Sequence, residues 1–88
     1  MEYLIAERAF ETPLSDEELQ AYAAKLQKCY ESHNVRWLRS FLSADRRRMV
    51  CEYQAADAEA VRSANRTAGA PFERVWAATL LPGTHGGA

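Results

Sequence analysis

The residues best suited to chemistry are three charged side chains that fall on predicted strands: Glu7, Arg39 and Glu52. Trp37 and Phe41 flank them on the same predicted sheet face. An arginine can bind a carboxylate, aromatic rings can form pocket walls, and a glutamate can act as a general base. The grouping therefore predicts a small-molecule site with Glu7, Arg39 and Glu52 as candidate catalytic residues. An ion pair that fixes the register of a dimer explains the same charges and stays open as an alternative.

Further residues are predicted to contact a ligand at this site. The candidate ligand-binding set, drawn from all four predicted strands, is Tyr3, Trp37, Phe41, Cys51, Tyr53 and Trp76. The predicted strand-pairing neighbours of Cys51 are apolar and neither histidine lies near it in the sequence, which disfavours a role as nucleophile. With Cys29 it makes up the two thiols of the chain, and without C-x-x-C spacing both are expected to be reduced core residues.

His33 and His85 are the only imidazoles. His33 falls at a predicted helix end, where the helix dipole favours a cation, so it is either a capping residue or a metal ligand. His85 lies in the C-terminal tail and could bind a metal only opportunistically. No H-x-x-x-H, C-x-x-C or carboxylate–histidine spacing indicates a preformed metal site. The sequence thus predicts no cofactor and leaves His33 as the candidate metal residue.

Local signals place two helices. Ser15 can cap the first helix and Glu18 can close a capping box, and Asn34 can adopt a left-handed conformation after the helix ends. Asp57 can cap the second helix, and Gly69 marks its end.

Four segments rich in β-branched, aromatic and other apolar residues are predicted strands, at residues 2–10, 35–43, 48–55 and 74–81. With the helices they give the order β-α-β-β-α-β, which predicts an α+β, ferredoxin-like fold. In this fold a four-stranded antiparallel sheet carries both helices on one face. We expect a single domain over residues 1–81 and a flexible Gly-rich tail at 82–88.

The hairpin between the second and third predicted strands decides which side chains the helices cover. A turn at Asp45-Arg46 pairs Leu42 with Met49, Ser40 with Cys51 and Leu38 with Tyr53 on the helix side. The opposite face then carries Trp37, Arg39 and Phe41 across from Val50, Glu52 and Gln54, together with Tyr3, Ile5 and Glu7 of the first strand. Aromatic rings on a face without helices predict that two copies pair face to face, as a homodimer resembling a dimeric α/β barrel.

Composition excludes several classes of protein. The net charge of -1 disfavours a nucleic-acid binder, which usually carries a basic excess. No apolar stretch is long enough for a membrane span, and the N-terminus lacks a signal-peptide pattern. We expect a cytoplasmic protein with no nucleic-acid or membrane partner.

Three stretches resemble a bacterial family of short proteins that includes an actinobacterial nickel-binding, nickel-responsive member. They are ERAFETPLSDEEL, HNVRWLRSFLSADRRRMVCEYQAADAEAVR and AGAPFERVW. The resemblance extends to Leu81 and implies ferredoxin-like homodimers. It also implies Ni²⁺ as a ligand.

The chain departs from the family pattern where nickel chemistry would need it most. Members usually carry a histidine in the second helix, but this segment reads Val61-Arg62-Ser63-Ala64. Ala77 stands where members tend to have a glutamate, and Arg46 replaces the hairpin glycine. We therefore expect a homodimer that binds a small molecule, with the hypothesis of a cofactor-independent enzyme of a bacterial biosynthetic pathway. The alternatives are a nickel or transition-metal binder with sites on the dimer surface, and a dimer with a purely structural or regulatory role.

Overall fold

The computed structural model describes residues 1–84. Residues 85–88 of the predicted tail, which include His85, lie outside the described residues. Its elements are β1 (Glu2–Ala9), α1 (Asp16–Ser32), β2 (Arg36–Leu42), β3 (Arg48–Ala55), α2 (Ala58–Ala68) and β4 (Arg74–Ala78). The order confirms the β-α-β-β-α-β prediction. The last strand is shorter than the predicted 74–81, and Leu80 and Leu81 are exposed.

The predicted helix ends are confirmed in detail. The Ser15 hydroxyl accepts from the backbone N–H of Glu18 at 3.1 Å, and the Glu18 carboxylate accepts from the backbone N–H of Ser15 at 3.0 Å. These bonds hold the pKa of the Glu18 carboxyl below its ordinary value. Asp57 accepts from the first turn of α2, and both Gly69 and Asn34 adopt left-handed conformations. Both helix starts and both helix ends therefore follow from local sequence.

The sheet has the strand order β2-β3-β1-β4, and every neighbouring pair is antiparallel. Both helices pack on one face, where Leu4 and Ala6 of β1 are fully buried with residues of β3. Tyr3, Ile5 and Glu7 alternate with them onto the opposite face, as predicted. We call this helix-free side the open face. Within residues 1–84 no helix is both long and apolar enough to span a bilayer.

The register prediction for β2 was wrong beyond its centre. The pairs nearer the turn are confirmed: Leu42 with Met49, Ser40 with Cys51, and Arg39 with Glu52. A β-bulge then shifts the register between Trp37 and Arg39, so that Trp37 rather than Leu38 pairs with Tyr53. Because Leu38 is the extra residue, every residue before it changes face relative to a regular strand. Trp37 therefore lies on the helix side of the sheet.

The hairpin turn between β2 and β3 is centred where predicted, and Arg46 holds it to the first helix. The Ser43 N–H donates to the Arg48 carbonyl at 2.8 Å, and Arg46 adopts the left-handed conformation at φ 63°. The Arg46 guanidinium donates to the carbonyl of Leu14 at 2.5 Å and to the carboxylate of Asp16 at 2.7 Å. These contacts compensate for a backbone conformation that favours glycine.

Candidate functional site

The open face is a grid of side chains that cross-strand pairing brings together. Its central row runs from β2 to β4 through Arg39, Glu52, Ile5 and Trp76. The row nearer the hairpin runs through Phe41, Val50, Glu7 and Arg74, and the row beyond the centre contains Arg36, Gln54, Tyr3 and Ala78. All four strands thus contribute charged side chains to a face that also carries aromatic rings.

A polar chain crosses the middle of this face. The Tyr3 hydroxyl donates to Glu52 Oε1 at 2.6 Å, and Arg39 Nε lies 2.7 Å from the same oxygen. The hydrogen bond to Glu52 raises the pKa of the Tyr3 hydroxyl, so Tyr3 stays a proton donor at neutral pH. The Glu52 side chain is 15% exposed and that of Arg39 59%. The carboxylate is thereby held in place while the guanidinium keeps N–H groups directed to solvent.

A second polar cluster lies towards β4. The indole N–H of Trp76 donates to Glu7 Oε2 at 2.8 Å, and Arg74 Nε lies 3.7 Å from the same atom. Glu7 thus has partners of its own. In the register of β1 and β3, Glu7 pairs with Val50 and lies diagonally from Glu52, which pairs with Ile5. The structure therefore divides the predicted Glu7, Arg39 and Glu52 grouping into two neighbouring clusters.

Apolar side chains on the open face remain in contact with water in the single chain. Phe41 is 57% exposed, Trp76 45% and Val50 37%. Ile5, in the middle of the face, is 8% exposed because its neighbours crowd it. An apolar surface of this kind, bordered by ion pairs, is typical of a surface that binds a partner or a ligand.

Three predicted ligand-binding residues lie on the other side of the sheet. Placing Trp37 on the open face was wrong, because the bulge at Leu38 turns its indole towards α1, where it packs edge-on against Tyr30. Cys51 and Tyr53 are also on the helix side and are fully buried. Of the predicted ligand-binding set, Tyr3, Phe41 and Trp76 are those that share a face with Arg39, Glu52 and Glu7.

His33 forms the C-terminal cap of α1. Its Nδ1 lies 2.8 Å from the carbonyl oxygen of Cys29 and 3.1 Å from the hydroxyl of Ser32. In the part of the chain that the structure describes, no three His, Cys, Asp or Glu residues come close enough to hold a metal ion. The donors of one chain within that part therefore do not fit a nickel centre.

The sequence reasoning missed a buried charge at Arg8. This residue is 1% exposed, on the helix side of β1. Its guanidinium donates to the hydroxyls of Tyr53 at 3.0 Å and Tyr30 at 3.2 Å, and to the carbonyl of Pro71 at 3.1 Å. The available signal was strand alternation, since Arg8 follows Leu4 and Ala6 at two-residue steps.

Hydroxyl groups rather than carboxylates surround this charge. Burial raises the pKa of the Tyr53 and Tyr30 hydroxyls, so both are neutral at pH 7. The Asn65 amide donates to the carbonyl of Val61, which turns its oxygen towards Tyr30 at 3.4 Å. Tyr30 therefore donates to Asn65 and accepts from Tyr53, whose oxygen lies 2.5 Å away. None of the ion pairs in residues 1–84 involves Arg8.

Comparison with known proteins decides the family. A family model described as "Nickel responsive protein SCO4226-like" matches residues 3–77. The chain belongs to the SCO4226-like family. The resemblance drawn from sequence stretches is thereby confirmed, and the SCO4226-like match covers both helices and reaches into all four strands.

A solved relative supports the SCO4226-like fold. The crystal structure of SCO4226 from Streptomyces coelicolor A3(2) superposes with a TM-score of 0.81, covering 91% of this chain and 99% of that one. The two sequences are 14% identical, so the superposition shows a shared fold and nothing more. No curated protein matches the chain.

Proposed function

We propose that this protein is a homodimer that binds a small molecule carrying a carboxylate and a ring at the open face. The observation that carries the proposal is the chain of contacts from Tyr3 through Glu52 to Arg39. It fixes one carboxylate and leaves exposed guanidinium N–H groups beside apolar rings. A guanidinium of this kind can bind a ligand carboxylate through two parallel hydrogen bonds.

The ring of the ligand would lie on the apolar part of the face. Phe41 and Val50 border Arg39 and Glu52 on the hairpin side, and Trp76 lies beyond Ile5 on β4. Aromatic walls with few polar groups are typical of small-molecule pockets. In one chain this surface is open to water, so a second copy is needed to enclose a ligand.

Pairing of two open faces supplies that enclosure. A symmetric dimer would bury the exposed side chains of Phe41, Trp76 and Val50 in both copies. Stable interfaces bury roughly 1,200–2,000 Å² in total, an area that calls for most of a four-stranded sheet on each side. The charged residues between the rings would then determine register or hold the ligand.

Replacing Arg39 by methionine separates these two roles. Benzoate serves as the probe, and the indole N–H resonance of Trp76 reports on the site because it is bonded to Glu7. We expect benzoate to shift this resonance in the unchanged chain and not in the Arg39→Met variant, with sedimentation showing a dimer in both. The matched control is Arg66→Met, which removes an ion pair of the same 2.7 Å length on α2.

Loss of the dimer in Arg39→Met, with Arg66→Met still dimeric, would show that the cluster is structural. A monomer in the unchanged chain at micromolar concentration would remove the basis for an enclosed pocket. Cofactor-independent catalysis is an extension of the proposal, with Glu52 or Glu7 as the general base. If Glu52 is the base, Glu52→Gln should abolish turnover while retaining the ligand, because the amide keeps the shape of the carboxylate and loses its basicity; if Glu7 is the base, Glu7→Gln should do so instead.

Nickel binding is a second candidate, favoured by the description of the family. Within residues 1–84 of one chain the donors do not form a site, so ligands would have to come from two chains, with His33 as the imidazole. Calorimetry with Ni²⁺ tests this on a chain truncated after Leu81. We expect His33→Ala to abolish the heat of binding; unchanged binding would exclude His33 as a ligand.

A further inference from the structure

A cavity lies on the helix side of the sheet, between α1 and strands β2 and β3. Its volume is about 290 Å³, close to the lower end of the roughly 300–1,000 Å³ of ligand pockets. The residues that matter for its chemistry are Leu19, Tyr22, Ala23, Trp37, Met49 and Cys51. The β-bulge at Leu38 is what places the Trp37 indole in this wall, since a regular strand would direct it to the open face.

The inner end of the cavity adjoins the buried charge of Arg8. Met49 in the wall is the direct cross-strand neighbour of Arg8. The Tyr22 ring, also in the wall, has its centroid 5.7 Å from the central carbon of the Arg8 guanidinium. Arg8 is therefore separated from the cavity by no more than the side chains that form its wall.

Arg8 is an incompletely satisfied cation. Its Nε is buried and has no hydrogen-bond partner among the described residues. Its other bonds go to neutral oxygens, and no ion pair within residues 1–84 neutralises it. A buried charge without an opposite charge is costly and is stabilised by any anion that can reach it. The position thus combines apolar walls with a positive charge at one end.

We propose that this cavity binds a small apolar carboxylic acid, with its hydrocarbon part against Leu19, Ala23 and Trp37 and its carboxylate directed towards Arg8. The apolar walls exclude strongly polar ligands, and the guanidinium favours the anion over a neutral molecule of the same shape. The site is on the opposite side of the sheet from the open face. It does not depend on the function proposed there.

The two tryptophans allow the two sites to be observed separately. Trp37 lines the cavity with its indole N–H bonded to Ser40, and Trp76 lies on the open face with its N–H bonded to Glu7. Their two indole resonances are assigned with the Trp76→Phe variant. Cyclohexanecarboxylate is the probe, and cyclohexylmethanol is the neutral compound of matching shape. We expect the carboxylate to shift the Trp37 resonance at about a tenfold lower concentration than the alcohol.

Variants of α1 test whether the shift comes from the cavity. Ala23→Met should fill the space and abolish the shift of the Trp37 resonance. Ala24→Met makes the same change on the exposed side of the same helix and should leave the shift unchanged. Arg8→Met should bind both compounds equally if it folds. If the Arg8→Met variant does not fold, the comparison of the two compounds on the unchanged chain tests the role of the Arg8 charge.

Three results would overturn the proposal. The first is that neither compound moves the Trp37 resonance, and the second is that both compounds move it at the same concentration. The third is that the carboxylate moves only the Trp76 resonance. The last of these would place carboxylate binding at the open face alone, so the two proposals can fail independently.

Discussion

Replacing Tyr53 by phenylalanine removes one hydroxyl from the cluster around Arg8 and keeps the volume of the core. The guanidinium has three hydrogen bonds, at 3.1, 3.2 and 3.0 Å, and the last of these goes to Tyr53. Tyr53 also bonds Tyr30. A bond from a charged donor contributes about 1.5–3 kcal/mol and one between neutral hydroxyls about 1 kcal/mol. The free energy of unfolding should therefore fall by about 2.5–4 kcal/mol.

This loss is large for a chain of 88 residues, whose free energy of unfolding is roughly 4–13 kcal/mol. Urea titration followed by tryptophan fluorescence measures it, at one fixed protein concentration because pairing of chains would add to the apparent stability. In a thermal melt the midpoint should fall by more than about 10 °C.

The matched control is Tyr22→Phe. This substitution keeps the ring over Arg8 and removes only a 3.4 Å bond to the carbonyl of Pro71. It should change the free energy of unfolding by less than about 0.5 kcal/mol. If Tyr53→Phe is no more destabilising than Tyr22→Phe, the hydroxyl groups do not stabilise the buried charge and the reasoning is refuted.

Three local features give further predictions. Ser15→Ala removes the capping acceptor and should lower the free energy of unfolding by about 1 kcal/mol in urea; unchanged stability would contradict the role of the cap. Arg46→Gly should melt at a higher temperature than Arg46→Ala, since both lose the bond to Asp16 and only alanine keeps the strain of the left-handed backbone; the reverse order would count against that strain. Deletion of Leu38 should leave a folded protein by circular dichroism, because the pairs on either side of the bulge stay in register, whereas deletion of Phe41 should not. Equal behaviour of the two deletions would argue against Leu38 as the extra residue.

The parts of the fold that follow from neighbouring residues were predictable. The capping box at Ser15 and Glu18 and the left-handed residues Asn34 and Gly69 each need only a few residues of context. The alternation of Tyr3, Ile5 and Glu7 on the open face is likewise local. Even the pair of Arg39 with Glu52 follows from the position of the hairpin turn, because pairing near a turn is determined by the turn.

The candidate site was predictable only as far as register held. Trp37 was assigned to the wrong face because one extra residue at Leu38 reverses all residues before it. No feature of the segment itself indicates that residue. The division of Glu7 from Glu52 likewise depends on β4, which is far along the chain. Trp76 and Arg74 of this strand contact the Glu7 carboxylate.

By itself, the sequence determined the order of the elements, the ends of both helices and the family to which the chain belongs. The helix ends depend on hydrogen bonds between residues close in the chain, and the strands on the alternation of side chains. The family follows from the sequence stretches that resemble it. The tertiary structure alone decided the face on which Trp37 lies and the identity of the hydroxyls from α1 and β3 that surround Arg8. Both depend on contacts between residues distant in sequence, whose energies appear only once the layers have packed.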